Sequence, residues 1–223
     1  SSFFPAAASD GTPIQSAMAV VDTNNGAVLA MIGGRDYTVR RGLNRATQMR
    51  RQPGSALKPL AVYGPALELG YTTASVLLDE KTSFGGYTPR NAGDRYYGLV
   101  TMRTAIRNSL NTTAVRLLEE IGLDASIQYL NKMGIPTRDS DRNLSLALGS
   151  MTYGVTPVEL AAAYVPYANG GIYHQPYCVE RIETVDGSNV YERKDSGKQV
   201  LSAQNAFSIW FIITFFEFTP SGA

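Results

Sequence analysis

Two apolar, β-prone runs near the start of the chain, Ala17–Val21 and Ala27–Ile32, flank the stretch Asn24-Asn25-Gly26. Asn-Gly is a strong two-residue turn signal because both residues tolerate positive φ, so the segment predicts a β-hairpin that ends at Gly33-Gly34. The alternation then stops. Residues 35–54, "RDYTVRRGLNRATQMRRQPG", are polar and basic without a clear period and read as a connecting loop. From Ser55 the spacing turns helical: Pro53-Gly54 punctuates, Ser55 stands where a cap is wanted, and Leu57, Leu60, Val62, Leu67 and Leu69 carry the apolar stripe to Gly70. Pro59 fits the first turn, whereas Pro65 is expected to kink or break the helix.

A Gly/Tyr/Pro/Asn-rich loop, "SFGGYTPRNAGDRYYG", follows. "TMRTAIRNSLNTTAVRLLEEIG" then places apolar residues near a 3.6-residue period and predicts one helix closed by Gly122. "DASIQYLNKMG" predicts a further helix. "TPVELAAAYVPYANGG" begins with Thr156 as N-cap and Pro157 at the first helical position. "CVERIETVDGSNVYER" predicts a second hairpin turning at Asp186-Gly187. Strand pair, helical block and strand pair follow one another without βαβ alternation, so the pattern is α+β. The run "IWFIITFF", residues 209–216, is apolar but far shorter than the ~20 residues of a membrane span, and predicts a buried helix or strand.

Composition narrows the function. At 223 residues with 44% hydrophobic and 17% charged positions, the chain suits one substantial globular domain. Twenty basic residues face 19 acidic ones, a net charge of +1 with no basic stripe interleaved by aromatics, so nucleic acid is excluded as an expected partner. One cysteine, Cys178, and one histidine, His174, cannot build a zinc site, and no acidic cluster has calcium-loop spacing, so neither metal nor cofactor is expected. His174 lies in "NGGIYHQPY" and reads as a surface or structurally hydrogen-bonded residue. The start, "SSFFPAAASDGTP", lacks the basic region and apolar core of a signal peptide.

The candidate chemistry begins with Ser55 and Lys58. At i, i+3 they share a helix face, which brings the amine within reach of the hydroxyl, and a helix N-terminus favours developing negative charge. Such a pair works only if the lysine is partly neutral, which burial achieves. Ser-x-x-Lys alone is weak, expected about once by chance in a chain of this size. A second element lies in "RNSLNTTAV": Ser109 is placed to relay a proton, and Asn111 to hydrogen-bond a substrate amide or the lysine.

Taken together with their flanks, these motifs resemble the transpeptidase domain of a bimodular (class A) penicillin-binding protein. "AVVDTNNGAVLAMIGGRDY" resembles the family's first two sheet strands, and "NRATQMRRQPGSALKP" the entry to its nucleophile helix. "YTPRNAGDRYYGLVTMRTAIRNSLNTTAV" is similar to the stretch leading through the second motif, and "LALGSMTYGVTPVELAAAYVPYANGGIYHQP" to the helix and loop beyond. The likeness runs from Gln15 to Ala206. It implies an N-terminal linker over 1–14, a partial transpeptidase domain over 15–206 and an atypical apolar tail over 207–223. The implied fold is the penicillin-binding and serine β-lactamase-like one, a helical block on an antiparallel sheet, with its C-terminal strands missing. By resemblance, Ser55 is the nucleophile, Lys58 its base, Ser109 the proton relay and Asn111 the group that orients the donor. The implied substrates are peptidoglycan stem peptides, with β-lactams as mimics. Full-length members carry a glycosyltransferase module and a membrane anchor, and the implied location is the outer face of the bacterial cell membrane.

The family's third motif, Lys-Thr/Ser-Gly, has no match. Lys81-Thr82-Ser83 lies between the first two motifs and lacks the glycine, and Lys198 in "SGKQV" is followed by no hydroxyl residue. The favoured expectation is an incomplete fragment with impaired activity. Two alternatives share the residues: a serine β-lactamase or D,D-carboxypeptidase passing the acyl group to water, and a non-catalytic β-lactam-binding domain.

Overall fold

The computed structural model describes residues 7–37 and 39–214. β1 (Met18–Val21) and β2 (Val28–Ile32) form the first antiparallel hairpin, in register from Met18↔Ile32 to Val20↔Ala30 with a bulge at Val21. Its connection is longer than two residues. Asp22 Oδ1 accepts from the Asn24 N–H, Asn25 Oδ1 accepts from Ala27, and Gly26 closes the loop at φ +79°. The side chains of Asp and Asn thus supply the turn chemistry, and the bulge absorbs the extra residue.

The basic segment is not loop throughout. Asn44 accepts from the Ala46 N–H and caps the short α1 (Arg45–Gln48). The helical run after it is built in three gauges: a 3₁₀ turn over Gly54–Leu57, a π-helical turn over Pro59–Tyr63, and α2 (Gly64–Glu68). Pro65 does not break the run, because it sits in the first turn of α2, where its missing N–H is not needed. Leu57, Leu60, Ala61, Val62 and Tyr63 are buried, so the run crosses the core.

A second antiparallel pair, β3 (Val76–Asp79) and β4 (Gly98–Thr101), brackets the Gly/Tyr/Pro/Asn-rich loop and was not expected from the pattern. These four-residue strands carry no periodic signature of their own. The single helix expected over 101–122 is two: α3 (Met102–Arg107), capped by Thr101 Oγ1, and α4 (Asn111–Ile121), ended by Gly122 at φ +85°. Between them Leu110 N–H bonds to Ala105 O and Ser109 N–H to Ile106 O, with Ser109 at φ +49°. That is a Schellman closure with serine where glycine is usual.

α5 (Leu123–Lys132) follows, and α6 (Pro157–Ala168) starts with the expected Thr156 cap, completed into a capping box by Glu159. β5 (Ile172–Tyr173) pairs with β8 (Lys198–Gln199), and β6 (Arg181–Glu183) with β7 (Asn189–Glu192) in the second expected hairpin. α7 (Ala203–Thr214) buries Ala206, Ile209 and Ile212 and leaves Phe207 and Phe211 at the surface. Glu68 Oε1 accepts from Ser202 N–H, Ser202 Oγ and Asn205 Nδ2, tying the start of α7 to the end of α2. Most of the apolar run 209–216 is therefore helical with one buried face, and residues 215 and 216 lie outside the described residues. Among the described residues the strands pair two by two, all antiparallel within the four sheets. The core lies between the 54–68 run, α4, α5 and α6, with Leu117, Leu118, Leu130, Met133 and Leu146 at its centre.

Candidate active site

The 3₁₀ turn exposes Ser55 and drives Lys58 inward. Pro59 has no N–H, so Ser55 O accepts instead from the Lys58 N–H, and the backbone tightens to the i, i+3 gauge. Ser55 does not cap: Pro53 holds the N-cap position, and Ser55 lies inside the turn. The N–H groups of such a first turn have no intrahelical acceptor.

Lys58 is only 2% exposed, and its Nζ donates to Ser109 O at 2.6 Å, Ser109 Oγ at 3.0 Å and Asn111 Oδ1 at 2.6 Å. Three acceptors saturate an ammonium. Burial nevertheless pulls the Lys58 pKa from 10.5 down to about 8, because taking the charge out of water costs more than neutral oxygens return. The left-handed backbone at Ser109 turns its carbonyl and its hydroxyl toward one amine. For a non-glycine residue that conformation costs about 1–2 kcal/mol. Asn111 is the first residue of α4, and its Nδ2 donates to Arg90 O at 2.6 Å, which leaves one amide N–H for a ligand.

Two neighbours hold the serine's turn in place. Tyr164 Oη donates to Ala56 O at 2.6 Å and Tyr167 Oη to Pro59 O at 2.8 Å, so α6 takes up carbonyls on either side of Lys58. From the other side the 149–155 loop abuts residues 51–54. Arg51 and Val155 exchange both backbone hydrogen bonds, at 3.0 and 2.9 Å. A Cβ on Gly149 would meet Gly54 O at 2.1 Å, and one on Gly154 would meet Arg51 O at 2.4 Å; both glycines also have positive φ. A cleft of about 780 Å³ opens beside this entry segment, between β1 and α6, with Met18, Met49, Pro53, Leu160 and Tyr164 among its walls.

The family model described as the penicillin binding protein transpeptidase domain matches residues 16–214. The chain belongs to that family. Penicillin-binding protein 1F of Bacillus subtilis is 44% identical over 190 residues, which is 85% of this chain and 26% of that protein. Penicillin-binding protein 1A of Pseudomonas aeruginosa is 38% identical over 184 residues, covering 80% and 22%. The chain thus spans about a quarter of the length of these curated relatives. Among solved structures, penicillin-binding protein 1A of Haemophilus influenzae superposes with a TM-score of 0.74 at 29% identity, over 91% of this chain and 36% of that one. PonA1 of Mycobacterium tuberculosis, in complex with penicillin V, gives 0.76 at 25% identity, over 87% and 54%. The mixed helix-and-sheet fold is that of the penicillin-binding transpeptidases.

Of the four residues singled out from the sequence, the structure gathers Lys58, Ser109 and Asn111 into one hydrogen-bonded cluster and places Ser55 one turn away, outside it. Ser55 Oγ is not among the three acceptors of the Lys58 amine. Thr82 of the Lys-Thr-Ser decoy accepts from Arg116 Nη2, and Lys198 lies on β8. His174 is buried, with Nδ1 3.4 Å from Asp195 Oδ2 and thus structurally bonded, and Cys178 is exposed and free. Among the described residues no metal-binding group of three His, Cys, Asp or Glu occurs, and no helix is long and apolar enough to cross a membrane. Four further residues contribute without a motif to mark them: Tyr164 and Tyr167 through the Ala56 and Pro59 carbonyls, and Asn91, which accepts from the Asn111 N–H and donates to Asp79 Oδ1. A carboxylate closing an apolar strand, "SVLLD", is the signal that marks Asp79, since an acid in that place needs partners.

Proposed function

We propose that this chain carries the acyl-transfer centre of a D,D-transpeptidase that cross-links peptidoglycan stem peptides. The observation that carries the reading is Lys58: a buried lysine with a depressed pKa, one turn from an exposed serine and bonded to the Ser-x-Asn pair. At a pKa of about 8 the amine is about a quarter neutral at pH 7.5, enough to act as a base. Neutral Lys58 takes the proton of Ser55 Oγ as the oxygen attacks the carbonyl carbon of the penultimate D-Ala. The first-turn N–H groups stabilise the oxyanion. Ser109 Oγ, 3.0 Å from Nζ, passes the proton to the leaving nitrogen as the bond to the terminal D-Ala breaks. Asn111 uses its remaining N–H to orient the donor amide. An acceptor amine then attacks the Ser55 ester, forming the cross-link and returning the proton to the serine. β-Lactams follow the first half of this path and stop at the ester.

From kinship with the much longer penicillin-binding proteins 1F and 1A, we infer that the full protein also carries a glycosyltransferase module and a membrane anchor and works at the outer face of a bacterial cell membrane. The 223 residues contain no Lys-Thr/Ser-Gly triplet. Losing one oxyanion donor typically costs about 10²–10³ in rate, so acylation by this stretch of chain is expected to be slow.

Prolonged incubation with a fluorescent penicillin, followed by intact-mass analysis, tests the reading. One adduct is expected in the wild type and none in Ser55→Ala. An adduct that survives Ser55→Ala, or fails to slow in Lys58→Ala, overturns the assignment. Product analysis with a D-Ala-D-Ala peptide, with and without an amine acceptor, separates transfer from hydrolysis and from arrest at the ester.

A further inference from the structure

We propose that Asp79 and Asn91 are positioning residues that hold Asn111, and through it Lys58, in the geometry described above. The proposal rests on the reading of Lys58 and Asn111 as parts of the acyl-transfer centre. α4 begins without a side-chain cap of its own, because its N-cap residue is Leu110. Asn91, twenty residues upstream, supplies the missing acceptor: its Oδ1 receives the Asn111 N–H at 2.7 Å and the Thr112 N–H at 3.3 Å. A remote asparagine thus does what a local Ser, Thr, Asp or Asn does at most helix starts.

Asn91 is itself fixed. Its Nδ2 donates to Asp79 Oδ1 at 2.8 Å and to Arg95 O at 2.9 Å. Asp79 is fully buried; Oδ1 also accepts from Thr112 Oγ1, and Oδ2 accepts from the Tyr97 N–H at 3.0 Å. Both carboxylate oxygens therefore meet N–H or O–H donors at the N-terminus of a helix, where the aligned peptide dipoles also favour negative charge. The orientation has one solution. Asn91 must present its amide N–H to the carboxylate and its oxygen to α4, so the carboxylate dictates which way the asparagine faces. The same loop completes the frame, since Arg90 O, next to Asn91, accepts from Asn111 Nδ2. Both ends of the Asn111 amide are thereby set: the nitrogen by the 90–91 loop, the oxygen by Lys58 Nζ at 2.6 Å. Loosening Asn91 frees the start of α4 and lets water reach a lysine that is otherwise 2% exposed.

Competitive acetylation of the folded protein at pH 8 reads this without any need for turnover, with the exposed Lys132 as internal standard. In Asn91→Ala the Lys58-to-Lys132 labelling ratio is expected to rise roughly tenfold, equivalent to about 1.4 kcal/mol of lost protection. Asn91→Asp sets two carboxylates against each other and should raise the ratio as well. A folded Asn91→Ala whose ratio stays at the wild-type value overturns the proposal. Should Asn91→Ala not fold, Asp79→Asn, which keeps the Asn91 side chain and removes the carboxylate that orients it, is read in its place: a raised ratio is expected, and a ratio at the wild-type value overturns the proposal. A merely structural role would lower the melting temperature and leave the native-state ratio unchanged. If the ratios behave as expected while no penicillin adduct forms on Ser55, the positioning network stands and the transpeptidase reading falls.

Discussion

Lys58 should make this protein more stable as the pH rises above neutrality, the reverse of what a surface lysine does. Its pKa is 10.5 when exposed in the unfolded chain and about 8 in the fold. The folded state therefore releases its proton first, and between these values the unfolded chain binds more protons than the native one. Stability climbs with pH across that window and is lost as the pH falls back through about 8. Integrating the difference from pH 7.0 to pH 9.5 gives about 2 kcal/mol gained through this one side chain. The assay is urea denaturation at those two pH values for the wild type and Lys58→Met. The variant loses three hydrogen bonds and shifts the baseline, but it has no group to titrate there, so the difference between the two pH increments isolates Lys58. Tyr63, Tyr129, Tyr164 and Tyr167, whose phenols burial pushes upward, oppose the gain near and above pH 10 and cancel in the comparison. Increments that agree within about 0.5 kcal/mol would refute the argument that the buried amine is held off its charge.

Other expectations follow from the same geometry. The rate of β-lactam acylation at Ser55 should rise with pH about a midpoint near 8, the Lys58 value; a profile flat from pH 7 to 9 excludes Lys58 as the base. Ser109→Gly removes the left-handed strain and should stabilise the fold by about 1 kcal/mol in a thermal melt while slowing acylation, a trade of activity for stability. Glu68→Ala frees Ser202 and Asn205 at the start of α7 and should cost about 1–2 kcal/mol in urea denaturation. Gly149→Ala forces a Cβ against Gly54 O and should reduce labelling of Ser55 more than it lowers the melting temperature.

Where local chemistry decided the structure, the sequence could be read directly. Thr156-Pro157 with Glu159 starts α6, Gly122 ends α4, and Asn25-Gly26 turns a hairpin, because caps and turns act within a few residues. The Ser-x-x-Lys and Ser-x-Asn pairs stood out as residue types, and their agreement with the flanks named the family. Longer-range facts stayed hidden. β3 and β4 are short strands that exist because they pair with each other across some twenty residues. Ser109 breaks what the apolar period presents as one helix, because Lys58 draws both of its oxygens to one point. The partners of Lys58, fifty residues away, and of Ala56 O, more than a hundred, depend on tertiary packing that no local pattern encodes. Asn91 looked like one more polar residue in a loop; its role follows only once α4 is seen to begin at an uncapped leucine.

A π turn holds one residue more than an α turn needs, and here it lies directly downstream of Lys58. The surplus residue is taken up in the π turn, so Ser55 and Lys58 keep their angular phase relative to the buried face at Leu60–Leu67. Deletion of a single residue would restore the α gauge with the two flanks close to their present phase, whereas deletion of a second would swing the pair by about 100° around the helix axis, one residue's worth of turn. The phenols of Tyr164 and Tyr167 hold the near end, so the swing has to be taken up in the backbone between them and α2. This segment should therefore tolerate the loss of one residue and not of two.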